Sequence, residues 1–395
     1  MSHRTLVAGV GMVPFTTPRR SAPYMTMGAT AATAALKDAG VDYARVQQAF
    51  VGYVYGDSTC GQAALYRVGM SGIPIINVNN NCSTGSTALY LARQAIESGA
   101  AECVLALGFE QMQAGALTMH WTDRTSPFAR FDESMLRHQA ESDAPFAAQY
   151  WGGAAVRYAE MFGLEPDTLA KISVKARAHA ANNPYAVFRD PVTVDQVLES
   201  PTVYGPLTRL QCCPPTSGAA AALLCSDEFA ERHGLRADVA ITAQAMTTDT
   251  PSSFAGGMTE LVGYDMSYAA AQQVYEQSGV SPEDLKVVEL HDCFTSNELL
   301  TYEALGLTPP GTAERFVQDG QNTYGGNVVT NPSGGLLSKG HPLGATGLAQ
   351  CAELNWQLRG MADARQVQDV DLALQHNIGL GGACVVTLYE SVRAR

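Results

Sequence analysis

An α/β protein built from two similar halves, with a segment inserted in the first, is the fold class the sequence predicts, and three observations carry that prediction. Length is the first: 395 residues exceed an ordinary domain of roughly 100–200 residues and suit two of them plus an insertion. A repeated order of features is the second. Ile75-Ile76-Asn77-Val78 leads through Asn79-Asn80-Asn81-Cys82-Ser83-Thr84-Gly85 into a small-residue helix over 86–98, then a buried strand at Cys103-Val104-Leu105-Ala106-Leu107-Gly108. Later, Asn331-Pro332-Ser333-Gly334-Gly335 leads through Lys339-Gly340-His341-Pro342-Leu343-Gly344-Ala345-Thr346-Gly347 into a helix over 348–358 and a strand at Leu372-Ala373-Leu374-Gln375. Both units place one reactive side chain just before a helix, which reads as an internal duplication. The third is the stretch 111–200, rich in aromatic and arginine residues and poor in β-branched runs, which reads as helical pieces joined by loops that cover a site.

The remaining elements follow in order. Residues 5–8 begin a strand that runs into Gly9-Val10-Gly11, and 24–39 form a helix packed on a sheet. Gly9-x-Gly11 invites a dinucleotide reading, but Pro14 stands where the third glycine belongs and no helix opens there, so the glycines mark a tight turn. Residues 218–224 form a buried strand returning to the first sheet, 239–245 open the second half, and 287–290 add another strand to it. The expected division is 1–118 for the first half, completed by 201–232, then 119–200 for the inserted loop domain and 233–395 for the second half.

Composition narrows the partners. Lys and Arg number 25 against 38 Asp and Glu, a net charge of −13, and that field repels polyphosphate. Nucleic acid and anionic membrane are excluded as main partners, while a local basic patch remains able to hold an anionic ligand. Charged residues make up 16% of the chain and hydrophobic ones 46%, so an obligate oligomer is expected. The cysteine count is odd, and neither C-x-x-C nor H-E-x-x-H occurs, so the expectations are a reducing compartment and no metal site. No apolar run approaches the roughly 18 residues that cross a bilayer. Without a leader pattern in 1–20 or an S-K-L address, the expected location is cytoplasmic.

Four loops carry chemistry. Cys82 follows a strand and precedes a helix, where free backbone N–H groups and the helix dipole favour a thiolate, as a nucleophile requires. His341 lies in a loop held by proline and glycines at a helix start, suited to take a proton from Cys82 and return it to a developing oxyanion. Glu289-Leu290-His291-Asp292-Cys293-Phe294 sits at the carboxyl end of a strand. There Cys293 is placed to shuttle a proton to and from carbon and His291 to polarise a carbonyl, with Asp292 most simply a helix cap. A zinc reading of His291, Cys293 and His341 lacks a fourth ligand at a usual spacing. Gln375-His376-Asn377-Ile378-Gly379-Leu380-Gly381-Gly382 closes the set, its glycines allowing backbone N–H groups to serve as an oxyanion hole.

On these loops the sequence resembles a thiolase, of the sterol carrier protein X type, over nearly its whole length. Cys212-Cys213-Pro214 and Ser296-Asn297-Glu298-Leu299-Leu300-Thr301-Tyr302-Glu303 add to the likeness. The resemblance implies a five-layered αβαβα fold, dimers or dimers of dimers, and no fused carrier domain in a chain of this length. It implies Cys82 as nucleophile, His341 and His291 as partners of the substrate carbonyls, and backbone N–H groups of Cys82 and Gly379 as an oxyanion hole. In ordinary thiolases the shuttling cysteine lies on a C-x-G loop, where this chain has Asn377-Ile378-Gly379, so Cys293 takes that role. One departure concerns Thr216-Ser217-Gly218, where relatives carry an aspartate before the glycine.

The implied function is 3-oxoacyl-CoA thiolase, with coenzyme A as co-substrate and no permanent cofactor, on fatty, branched or steroid side chains. An acyl-CoA aldolase of the same fold, a decarboxylating condensing enzyme and a non-catalytic acyl-CoA or lipid binder are the alternatives. The CoA phosphates are expected on cations of the insertion: Arg124, Arg130, Arg137, Arg157, Lys171, Lys175, Arg177 and Arg189.

Overall fold

The computed structural model describes residues 4–113 and 121–392. The expected boundary at 118/119 and the final three residues lie outside these. The first half supplies β1 (Thr5–Met12), β2 (Gln48–Gly52), β3 (Ile75–Val78), β4 (Cys103–Glu110) and β5 (Gly218–Ser226). The second supplies β6 (Val239–Thr247), β7 (Val287–Glu289), β8 (Val329–Thr330), β9 (Leu372–Gly379) and β10 (Ala383–Ser391). Their order in space is β8-β7-β9-β10-β6-β1-β5-β4-β2-β3. Numbered within its own half, each half reads 3-2-4-5-1. Parallel pairing joins the second strand to the third and fourth, and antiparallel pairing joins the fourth to the fifth and the fifth to the first, in both halves. The duplication read from two loops therefore extends to the whole topology. A short antiparallel seam, Thr5 opposite Ile241 and Leu6 opposite Ala240, joins the halves.

Side-chain alternation builds the layers. Along β4, Cys103, Leu105, Leu107 and Phe109 join the core beneath α1 (Tyr24–Ala39), while Val104 and Ala106 join the core on the opposite face. That second core is filled by α2 (Thr84–Glu97) and α7 (Leu343–Leu358), which pack on each other between the two sheets. Outside the second sheet lie α5 (Tyr264–Ser278) and α6 (Thr295–Ala304), joined by the insertion helices α3 (Phe146–Phe162) and α4 (Thr168–Ala180). Helix, sheet, helix, sheet, helix is the resulting five-layer stack.

Gly9 and Gly11 have a physical role other than nucleotide binding. A Cβ on Gly9 would stand 2.4 Å from the Ala35 carbonyl oxygen, and one on Gly11 2.4 Å from the Ala35 nitrogen, so glycine there lets α1 lie directly on β1.

Candidate active site

Helices α2 and α7 occupy equivalent places in the repeat and bring their leading loops together. Cys82 stands two residues before α2, in a turn where Asn81 has φ +51° and hydrogen-bonds the Leu380 carbonyl through its side chain at 3.0 Å. His341 stands two residues before α7, which begins at Leu343, five residues earlier than its glycines suggested. Close packing explains both the early start and the glycines. A Cβ on Gly344 would meet the Phe109 carbonyl oxygen at 2.4 Å, and one on Gly108 would meet the Gly344 oxygen at 2.0 Å.

The Cys82 sulfur and one ring nitrogen each of His291 and His341 lie within 4.8 Å of one another. The two imidazoles meet edge to face, with ring centroids 5.0 Å apart. His341 is held on two sides. Its backbone N–H donates to Thr216 Oγ1 at 2.6 Å, and its Nδ1 lies 2.7 Å from Thr346 Oγ1. Nε2 is buried with no hydrogen-bond partner among the described residues. Burial, with a contribution from Lys339, drives His341 down to about 3, and burial drives His291 well below its usual range with help from His341 and His376. Both rings are therefore neutral at pH 7.

The thiols differ from the expectation. Backbone N–H groups of Cys82 and Leu380 do favour a Cys82 thiolate, yet burial, followed by the Glu110 carboxylate, pushes the thiol up to about 12. Desolvation outweighs the helix start, and the resting side chain is a thiol. Cys293 is raised well above an ordinary cysteine, by burial first and then by its neighbours Cys213, Cys82 and Asp292. The Cys213 N–H donates to the Cys293 carbonyl at 2.8 Å, so a third thiol, not foreseen in the sequence, borders the site. Its only signal there was the pair Cys212-Cys213.

Asp292 does not cap its own helix. Its carboxylate accepts from the N–H groups of Leu336 at 2.7 Å and Leu337 at 3.3 Å, tying the His291–Cys293 loop to the loop that leads to His341. The turn that lacks the aspartate is braced by its own hydroxyls: Thr216 holds the His341 backbone, and Ser217 Oγ accepts from the Met112 N–H at 2.9 Å. Gly218 is required because the Phe15 ring occupies the place a Cβ would take.

From the insertion, Trp151 stacks on Phe294 at 5.2 Å, next to Cys293, and its carbonyl accepts from Ser296 Oγ. A cleft of about 440 Å³, bordered by Tyr55, Asn81, Phe128 and Gly379–Ala383, opens beside the turn of Cys82. A larger cavity of about 640 Å³, bordered by Thr242, Asp284 and Glu390, is lined by none of the four loops, whereas the smaller one is bordered by Asn81, the neighbour of Cys82, and by Gly379. Among the expected CoA cations, Lys175 is a correction: it is buried, paired with the Glu298 carboxylate and bonded to Thr330, out of reach of a phosphate. Arg130 lies over the Phe254 ring and Arg177 over Phe188, while the side chains of Arg124, Arg137 and Arg157 are exposed.

Three ligating atoms from Cys82, His291 and His341 invite the question of a metal. The three atoms all lie within 4.8 Å of one another, and a tetrahedral zinc site would need a fourth ligand, a protein group or water, beside them. Asn377 moreover occupies one nitrogen of His291.

A chain that folds as two copies of one α/β unit and sets a thiol against two imidazoles at their junction is a thiolase-fold protein. Residues 5–228 match the family description "Thiolase, N-terminal domain", and 249–389 match "Thiolase C-terminal domain-like". The chain belongs to the thiolase family. "Sterol carrier protein 2" of Rattus norvegicus is 53% identical over 392 residues, covering 98% of this chain and 72% of that protein. "Non-specific lipid-transfer protein-like 2" of Caenorhabditis elegans is 44% identical over 98% of this chain and 96% of its own length. "Benzoylsuccinyl-CoA thiolase subunit BbsB" of Thauera aromatica is 35% identical over 97% of this chain and 96% of its own. Among solved structures, the "Ltp2-ChsH2(DUF35) aldolase" superposes with a TM-score of 0.84 at 24% identity, covering 99% of this chain and 98% of that one. Human mitochondrial 3-ketoacyl-CoA thiolase in complex with CoA superposes at 0.74 with 18% identity, covering 99% and 98%. Both structures share the fold.

Proposed function

We propose that the protein is a 3-oxoacyl-CoA thiolase, cleaving the C2–C3 bond of a fatty, branched or steroid-side-chain 3-oxoacyl-CoA with coenzyme A as co-substrate. The observation that carries this reading is the Cys82 sulfur within 4.8 Å of ring nitrogens on two neutral histidines. His341 takes the Cys82 proton through its free Nε2, and the sulfur adds to the 3-oxo carbon. Collapse of that adduct breaks C2–C3 and leaves the acyl group on Cys82 and an enolate on the departing acyl-CoA. His291 and His341 stabilise the enolate oxygen and Cys293 protonates C2. Coenzyme A, giving its proton to Cys293, then takes the acyl group, with N–H groups of Cys82 and Gly379 holding the tetrahedral oxyanion.

No resident cofactor enters this scheme. The CoA phosphates fall to exposed cations of the insertion such as Arg124, Arg137 and Arg157. A cytoplasmic homodimer or homotetramer is part of the same reading. Its support is the low charge content and the edge strand β3, half-buried along its length and unpaired on one side. The aldolase and binder readings leave the Cys82 and His341 pair without a task. Intact-mass measurement after brief exposure to 3-oxoacyl-CoA tests the reading: an acyl adduct is expected, absent in Cys82→Ala. Turnover retained by Cys82→Ala would overturn it in favour of the aldolase.

A further inference from the structure

The reaction above gives Asn377 no task, yet its amide lies 2.8 Å from His291 Nδ1, and a chain of hydrogen bonds fixes which way that amide points. The Gly347 carbonyl can only accept, so the Gln375 atom 2.7 Å from it is the amide nitrogen. That same nitrogen donates to Ser86 Oγ at 2.8 Å, while Gln375 Oε1 accepts from the Tyr389 hydroxyl at 2.5 Å. Having accepted from Gln375, Ser86 directs its own hydrogen to Asn377 Oδ1 at 2.8 Å. With Oδ1 so occupied, the Asn377 –NH2 faces His291, and an amide nitrogen only donates. His291 Nδ1 is therefore bare, and the neutral ring carries its hydrogen on Nε2.

The other ring is fixed in the opposite sense. Thr346 donates its hydroxyl hydrogen to the Pro342 carbonyl at 3.0 Å, so it accepts from His341 Nδ1–H, and His341 Nε2 is left as a bare lone pair. The two rings stand edge to face at 5.0 Å, one carrying a donor and the other an acceptor.

We propose that Asn377 is a positioning residue that locks His291 as an Nε2–H donor, so that the two imidazoles enter the site in complementary roles, one base and one hydrogen-bond donor. All members of the relay, Tyr389, Gln375, Ser86 and Asn377, are buried, and each passes one hydrogen along the chain of bonds. The relay crosses from β10 through β9 to α2 and back, so both halves of the molecule set the proton position on one ring. The titratable groups that act on His291 are His341 and His376, whose Nδ1 accepts the His291 backbone N–H at 3.4 Å, with the Cys82 thiol beside them.

Asn377→Asp reverses the contact. A carboxylate there pulls the His291 hydrogen onto Nδ1 and strips Nε2 of its donor. When the Asp–His pair takes up one proton, the Nε2–H returns. The kinetic arm rests on the thiolase reading: turnover of Asn377→Asp falls about a hundredfold at pH 8, the effect of losing one oxyanion donor, and climbs as pH falls. The parent shows no such acid recovery, and Asn377→Ala shows a smaller loss without it. A pH profile of Asn377→Asp parallel to the parent's overturns the proposal. The second arm needs no turnover: nitrogen-15 spectra of the histidine-labelled parent report which His291 nitrogen carries the hydrogen, with His291→Gln identifying the signal. Hydrogen on Nε2 supports the proposal even if the thiolase reading fails or Asn377→Asp does not fold. Hydrogen on Nδ1 overturns it.

Discussion

Removing the His341 imidazole exposes the full cost of ionising Cys82. Burial and the nearby Glu110 carboxylate hold that thiol near 12, five units above pH 7, so a free thiolate lies about 7 kcal/mol uphill at 1.36 kcal/mol per unit. His341, titrating near 3, is a bare base throughout the working range, so acylation of the parent is flat from pH 5 to 9. In His341→Ala the proton must leave to water. Acylation then slows by about 10²–10⁴-fold at pH 7, the usual contribution of a positioned base, and rises about tenfold for each pH unit up to the thiol's own titration. Stopped-flow or quenched-flow mass measurement of the acyl adduct gives the rate directly. A His341→Ala rate within tenfold of the parent's, or one flat between pH 7 and 10, would refute the assignment of His341 as the group that takes the Cys82 proton.

Three further outcomes are expected. Cys293→Ala keeps acylation of Cys82 by a simple activated thioester but loses proton exchange at C2; deuterium entering acetyl-CoA at the parental rate would place the shuttle elsewhere. Lys175→Met leaves Glu298 as an unpaired buried charge and costs about 3–5 kcal/mol in denaturant unfolding, far more than an exposed lysine would. Glu110, raised to about 7 by burial against an ordinary 4.5, binds a proton in the folded state that the unfolded chain has already released. Its contribution is present below 4.5 and is lost as pH rises through 7, about 3 kcal/mol in all. Glu110→Gln should therefore flatten the stability profile by that amount over this window, and an unchanged slope would show that Glu110 titrates normally.

The sequence carried the parts of the site that are written locally. Cys82, His341 and the pair His291 and Cys293 sit in loops whose glycines, prolines and neighbouring strands mark them as places where a side chain is aimed, and the structure brings these three loops together between the two halves. What stayed hidden depends on contacts between distant segments. The start of α7 at Leu343 could not be read because Gly344 and Gly347 lower helix propensity, and only the docking surface of β4 and α2 shows why glycine is needed. The acidity of Cys82 was misjudged because helix position is local whereas desolvation is not. Lys175 looked like a phosphate ligand because nothing within its own helix foretells Glu298. Asn377 looked like a gap in a motif, and its orientation emerges only from a relay spanning residues 86 to 389.

The glycine contacts around His341 have a consequence for how this site tolerates change. Gly344 is seated against the carbonyl oxygens of Phe109 and Gly52, and Gly108 and Gly85 against the carbonyl oxygen of Gly344, main chain upon main chain. Atoms common to every amino acid thus set the height of the imidazole above the sulfur, and side-chain identity hardly enters. Sequence drift in the surrounding cleft can resculpt what the pocket admits while the reacting pair keeps its spacing, much as a lathe keeps its spindle aligned while the tool is exchanged. The same arrangement concentrates fragility: a single methyl group on any of these glycines reaches the chemistry directly, whereas a far larger change on the wall of the insertion does not.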